Sequence, residues 1–256
     1  MPPGRRCCSW APRYFCSGSV IAGGVAVLRF EGLEIAQSGF RLRADLEVAR
    51  GARVGVIGPS GAGKSTLLGA ISGFVPVKSG QIMWEGASLL PLTPSARPVS
   101  ILFQDNNLFP HLTVAENVAL GLRPSLRLSA GERARVGDAL ARVGLEGLED
   151  RRPAQLSGGQ QGRVALARVL LRARPILALD EPFAALGPAL KAEMLTLVAE
   201  ICDETGATLL MVTHDVGDVE AIADQTLLVA GGAVSGPHAT QALLADPPPS
   251  LRAYLG

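Results

Sequence analysis

The chain has 256 residues, which suits one large α/β domain or one domain with a sub-lobe. Its 24 basic and 23 acidic residues nearly cancel and aromatics make up only 4%, so stacking platforms for nucleic acid are scarce and the chain is less basic than a wholesale polyanion binder. Hydrophobic residues reach 48%, enough for a sizeable core, yet no uninterrupted apolar run attains the roughly 18–20 residues that span a bilayer.

The first 24 residues, MPPGRRCCSWAPRYFCSGSVIAGG, set Arg5 and Arg6 before a weakly apolar patch. That patch is short and broken by Gly and Ser, unlike the apolar segment of a signal peptide. Residues 1–24 are expected to be a disordered extension or sequence upstream of the true start, with Val25 or Val27 as the first residue of a domain running to 256. Cys7, Cys8 and Cys16 lack zinc-site spacing, and Cys202 falls in an apolar helical stretch as a small core residue. The absence of a disulfide framework fits a reducing compartment.

Short apolar runs bounded by turn residues follow: Val54–Ile57, Val99–Phe103, Ile176–Leu179 and Thr208–Thr213. Near-continuous apolarity without alternation predicts strands buried on both faces, as in a parallel sheet under helices. Helical patterns lie between them. Thr66–Ile71 reads as one helix. Ser129-Ala-Gly-Glu132 is a capping box opening another, with Val136, Leu140 and Val143 on one side. Pro188 suits the first turn of a third, whose apolar face is Leu190, Met194, Val198 and Ile201, with Gly206 just past its end. Residues of roughly 105–165 show no clear strand and read as a helical sub-lobe inserted into a doubly wound α/β core. Asp246–Ser250, DPPPS, reads as a terminator.

Gly58-Pro59-Ser60-Gly61-Ala62-Gly63-Lys64-Ser65-Thr66 matches the phosphate-binding loop G-x-x-x-x-G-K-[ST] between a predicted strand and a predicted helix. The glycines let successive N–H groups turn toward phosphate oxygens, and the helix adds its positive end. Lys64 supplies charge to the β- and γ-phosphates of ATP, and the Ser65 hydroxyl is a Mg²⁺ ligand. The bland alternative is a glycine-rich turn. Asp180 ends a predicted strand at the edge where ligands bind in such sheets, and would hold Mg²⁺ through water. Glu181, next to it, is placed to orient or deprotonate the attacking water. The alternative there is an acidic helix cap.

Leu156-Ser-Gly-Gly-Gln-Gln-Gly-Arg163 resembles the LSGGQ signature of ABC ATPases. Ser157 caps a helix whose first N–H groups Gly158 and Gly159 expose, a second phosphate clamp in a chain that already has one. The resemblance covers nearly all of 27–256 and implies the ABC ATPase fold: a P-loop NTPase (RecA-like) core with a mostly parallel sheet, an N-terminal antiparallel β portion and an inserted helical subdomain. It also implies that Ser157, Gly158, Gly159 and Gln160 face ATP held by a second copy in a head-to-tail dimer. Gln104 matches the glutamine that touches Mg²⁺ and links core to helical lobe. His214 matches the switch histidine at the γ-phosphate, whereas His111 and His238 are read as structural. Within the family, Arg97–Leu122, Pro188–Val198 and Thr208–Asp218 look like the ATPase subunits of thiamine importers.

That likeness implies ATP hydrolysis to ADP and phosphate that energises solute import, with glutamate, histidine and lysine (Glu181, His214, Lys64) as the catalytic set. Its implied partners are integral-membrane permease subunits, docked near Phe109, Pro110 and His111, and indirectly an extracytoplasmic binding protein, with no nucleic acid. The implied place is the cytoplasmic face of the inner membrane. An importer ATPase for another small solute, or a soluble ABC ATPase, is the alternative. Two departures stand out. Gln37 occupies the position of the usual adenine-stacking aromatic, with Phe40 close by. Gly187 stands where the family commonly has the D-loop aspartate.

Overall fold

The computed structural model describes residues 27–37, 39–184 and 186–255. The expectations for residues 1–24, for Cys7, Cys8 and Cys16, and for a start at Val25 lie outside the described residues.

An antiparallel hairpin opens the fold, with strand β1 (Val27–Gln37) against β2 (Phe40–Ala49). Each strand of it alternates buried and exposed residues, as an antiparallel layer with one wet face should. Strand β3 (Arg53–Ile57) then leads into helix α1 (Lys64–Ser72), and β4 (Ser79–Trp84) with β5 (Ala87–Ser88) extends the antiparallel portion. After β6 (Val99–Leu102) come three helices: α2 (Val114–Ala119), α3 (Ala130–Arg142) and α4 (Gly158–Arg172). The chain closes with β7 (Ile176–Asp180), α5 (Pro188–Thr205), β8 (Thr208–Val212), α6 (Val216–Ile222), β9 (Gln225–Ala230), β10 (Ala233–Ala239), α7 (Thr240–Ala245) and α8 (Pro249–Leu255).

All ten strands form one sheet in the order β5-β4-β1-β2-β10-β9-β3-β8-β7-β6. The run from β9 to β6 is parallel throughout. Its strands read as unbroken apolar text because each face has its own core. Ile176 and Ala178 of β7 pack with α1 and the hairpin, whereas Leu177 and Leu179 pack with α4 and α5. β8 divides likewise, Leu210 and Val212 on one side, Leu209 and Met211 on the other.

The predicted elements form within a residue or two of their expected bounds. Ser129 and Glu132 make the reciprocal capping box of α3, and Val136, Leu140 and Val143 are buried beneath it. Pro188 opens α5, and Gly206 closes it in the left-handed conformation. Cys202 is buried, and burial pushes its thiol up to about 12. The DPPPS segment, expected to be a terminator, instead joins two helices. Asp246 ends α7, and a new helix starts at Pro249, where the missing N–H costs nothing, and buries Leu251.

Gly58, directly after β3, has φ +148°, and a Cβ there would lie 2.0 Å from the Val229 carbonyl oxygen of β9. Gly58→Ala should therefore destabilise the fold by roughly 2–4 kcal/mol. A thermal melt should show a fall of roughly 5–15 °C for a chain of this size; an unchanged melt would show that the turn has room.

Candidate active site

Three neighbouring strands deliver the candidate residues to one edge. Val56 of β3 and Asp180 of β7 both register against Val212 of β8. Gly58, Asp180 with Glu181, and Thr213 with His214 therefore leave the sheet at the same level. This is the carboxyl edge, where ligands sit in open α/β sheets.

The loop from Gly58 to Gly63 is shaped by three glycines with positive φ, at 58, 61 and 63. Ala62 N donates to the Pro59 carbonyl at 3.2 Å, closing the turn, and α1 begins at Lys64 with Gly63 as its left-handed N-cap. The arrangement leaves backbone N–H groups and a helix N-terminus at the concave side of the loop, which suits an anion. Lys64 is buried to 8% exposure, and its Nζ donates to the Gly58 and Pro59 carbonyls at 2.7 and 3.0 Å. Burial lowers its pKa, while the charges of Glu181 and Asp180 act in the opposite direction.

Asp180 is 6% exposed. Burial raises its pKa; the Ser65 side chain and the Lys64 charge favour the ionised form, and the Glu181 charge opposes it. Glu181 sits at φ +46°, an uncommon conformation for a non-glycine residue, and its N–H is tied to the Val212 carbonyl at 3.0 Å. That strained turn sends its carboxylate toward His214, whose Nδ1 lies 3.4 Å from Glu181 Oε2. Gln104, exposed beyond the end of β6, reaches the same edge because β6 and β7 pair in register, Leu102 opposite Leu179.

Ser157, Gly158, Gly159 and Gln160 stand elsewhere. Ser157 Oγ accepts from Gln160 N at 3.3 Å, and Gln160 Oε1 accepts from Ser157 N at 2.9 Å, a capping box that opens α4. Among the described residues, no hydrogen bond joins this helix start to the loop at 58–66. Gly159 instead meets Leu186: a Cβ on it would lie 2.8 Å from Leu186 Cδ2.

Residues 42–184 match the family described as ABC transporter. The chain belongs to the ABC transporter family. Among curated relatives, the thiamine import ATP-binding protein ThiQ of Cereibacter sphaeroides is 63% identical, over 90% of this chain and 100% of that protein. Its namesake in Ruegeria sp. is 58% identical over the same shares, and that of Escherichia coli K12 is 50% identical over 79% of this chain and 88% of its own. Among solved structures, a dimeric ATP-binding cassette in a post-hydrolysis state bound to ADP and Pi superposes with a TM-score of 0.74. It is 29% identical and covers 84% of this chain and 98% of its own. This ABC chain accordingly has the P-loop NTPase architecture expected of its signature.

The two departures also have places in the ABC fold. Gln37 ends β1 exposed, paired across the hairpin with Phe40. The Phe40 ring covers Gly63, where a Cβ would lie 2.4 Å from its Cζ. Gly187 is the N-cap of α5 with no side-chain cap, at φ −68°, and a Cβ there meets nothing within 4 Å.

Several structural supports belong to no sequence motif. Arg97 is buried, and its Nη1 donates to the Ala70 and Ile71 carbonyls at 2.6 and 2.8 Å, closing the C-terminal end of α1 with positive charge. Arg168 of α4 donates to the Asn106 and Asn107 carbonyls, both at 2.8 Å, and so holds the two left-handed residues that follow Gln104. Lys191 joins Asp215 and Asp218 beside His214. The arginines carry no local signal, since their partners are backbone oxygens. Lys191 had one: a basic residue one turn into a helix, with two acids after the histidine.

Asp180 offers a pH test. Its raised pKa means that the folded protein binds this proton more readily than the unfolded chain does, so its ionised form costs stability as pH rises through its folded pKa. In magnesium-free buffer, Asp180→Asn should melt above the wild type at neutral pH by roughly 2–4 °C. The gap should close as pH falls and the wild-type carboxyl protonates. A gap that stayed constant with pH would count against the burial cost.

Proposed function

We propose that this chain is the ATP-hydrolysing subunit of a thiamine importer. The observation that carries the solute is the 63% identity to a thiamine import ATP-binding protein along that protein's whole length.

In this reading the loop Gly58, Pro59, Ser60, Gly61, Ala62, Gly63, Lys64, Ser65 and Thr66 binds the phosphates of ATP. Its curled backbone and the α1 N-terminus supply N–H donors, and Lys64 exchanges its loop carbonyls for the β- and γ-phosphate oxygens. Ser65, Asp180 and Gln104 would hold Mg²⁺. A hydroxyl, a buried carboxylate and an amide oxygen suit a hard cation that keeps waters and phosphate oxygens as its other ligands. When bound, that ion neutralises charge on the phosphates. Glu181 takes the proton of the attacking water, or orients it, and His214 contacts the γ-phosphate while fixing the Glu181 carboxylate.

The capped start of α4, Ser157 to Gln160, completes the site of a second copy. This accounts for its separation from the chain's own P-loop and agrees with the dimeric state of the solved cassette. ATP bridging two such half-sites closes the dimer, and its hydrolysis reopens it. Binding at both interfaces supplies the differential free energy for that switch. The closing motion reaches permease subunits through the segment after Gln104. Phe109 in that segment is exposed, and just before Gln104 the Phe103 ring stands edge to face with exposed Phe74, 5.3 Å apart. An extracytoplasmic binding protein delivers the solute to the permease without touching this chain, which works at the cytoplasmic face of the inner membrane. No helix among the described residues is long and apolar enough to cross a membrane, so attachment would run through the permease.

Glu181→Gln should bind ATP with near-normal affinity, accumulate as a dimer on sizing columns, and lose turnover by roughly a hundredfold or more. Hydrolysis at the normal rate in this variant would remove Glu181 from its role. Deleting the gene should abolish uptake of labelled thiamine by intact cells, and the Glu181→Gln allele should fail to restore it. Unchanged uptake would discard thiamine and leave the ATPase assignment in place.

A further inference from the structure

His214 stands on the loop between β8 and α6 with a largely exposed side chain, yet both residues flanking it are held. Thr213 Oγ1 donates to Asp218 Oδ2 at 2.9 Å and accepts from Asp215 N at 3.1 Å. Asp215 Oδ1 accepts from Gly217 N at 2.9 Å, capping α6, and Asp218 N donates to the Asp215 carbonyl at 3.2 Å. Both carboxylates then converge on a single ammonium. Lys191 Nζ lies 2.5 Å from Asp215 Oδ2 and 2.7 Å from Asp218 Oδ1.

A lysine between two acids is in most proteins a weak surface pair. Here Asp218 is buried at 7% exposure and the Lys191 side chain is 22% exposed. Removing Lys191 would leave a buried charge without its cation. The hydrogen bonds to Asp215 and Asp218 raise the pKa of Lys191, and that from Lys191 lowers the pKa of Asp215. Lys191 belongs to the first turn of α5, where its own N–H bonds the Gly187 carbonyl at 2.9 Å. Among the described residues it makes no hydrogen bond or ion pair to the P-loop or to Asp180. It does share one small polar cavity, of about 50 Å³, with Glu181, Thr213, His214, Asp215 and Asp218.

We propose that Lys191 is a positioning residue for His214: it clamps the loop that carries the histidine to helix α5 and so fixes the imidazole against Glu181. The inference rests on the reading of His214 as the γ-phosphate contact. It predicts an effect on turnover rather than on nucleotide binding, because Lys191 reaches the chemistry only through His214.

The test compares full-length wild type with Lys191→Met, Lys191→Arg, His214→Ala and the double variant Lys191→Met/His214→Ala, measuring kcat and KM for ATP together with Tm. Lys191→Met should lower kcat roughly ten- to hundredfold, the size of effect that a displaced catalytic group produces, with KM within about twofold. Lys191→Arg should recover most of the rate, since a guanidinium can bridge both carboxylates. The double variant should be no slower than His214→Ala, because the two changes act on one element. If Lys191→Met proves too unstable to purify, Asp215→Asn, which removes the more exposed acid, should show a milder loss of kcat alone. A slow His214→Ala with a further, multiplicative loss in the double variant, or a change in KM alone, would overturn the inference while leaving the His214 assignment intact. A wild-type rate in His214→Ala would overturn that assignment and the inference together.

Discussion

An ammonium and a carboxylate share a buried edge in a sheet that is apolar on both faces. Lys64 and Asp180 are each under a tenth exposed, and burial disfavours the charge on both, lowering the pKa of one and raising that of the other. Much of the local structure exists to keep them charged. Lys64 needs the Gly58 and Pro59 carbonyls, which face it only because Gly58 adopts a conformation no other residue could hold beside Val229. The Ser65 side chain and the Lys64 charge favour the ionised form of Asp180, against burial and the like charge of Glu181. Charges held ready in a dry, preorganised edge act on a phosphate more strongly than they would in water, and they need no rearrangement when it arrives.

Around that edge, rigidity is supplied at helix ends. Arg97 closes the far end of α1, the helix whose near end forms the P-loop. Arg168 reaches from α4 to two left-handed asparagines, so the signature helix and the segment after Gln104 form one body. Leu186 lies on Gly159, placing the start of that helix against the start of α5, and Lys191 in the first turn of α5 meets the loop of His214. A continuous line of contacts thus runs from the signature, which in a dimer would serve the partner's ATP, to the residues beside the chain's own. Contact is not by itself coupling, but it is the physical path that coupling would need.

The parts of this design that depend on sequential neighbours were readable from the sequence. The P-loop, the acidic pair Asp180 and Glu181, the capping box at Ser129, the helix cap at Ser157 and the doubly buried strands all announce themselves within a few residues. The ABC signature then fixes a family, and with it the inserted helices. What stayed hidden depends on the tertiary fold. Arg97 and Arg168 bind carbonyl oxygens, which every residue has, so nothing in the text singles out their partners. The left-handed turn of Glu181 is imposed by β8 through Val212. The second life of the DPPPS segment arises because Leu251 finds a place in the core, which no local pattern declares.

The two departures from the family separate cleanly on this picture. The loop at Gly58–Gly63 is over-determined, by three glycines, a helix whose far end Arg97 closes, and paired charges. Gln37 is exposed at the tip of β1, while the Phe40 ring covers Gly63. Gly187 is different again. Its φ of −68° is open to any residue and its surroundings leave space for a side chain, so neither backbone nor packing within the chain demands glycine. An aspartate there would cap α5, a service Gly performs nearly as well through its free backbone. What the glycine lacks is a charge at the start of α5. Lys191 lies just downstream in the same turn and pairs with Asp215 and Asp218, so the start of α5 is anchored to the loop that carries His214.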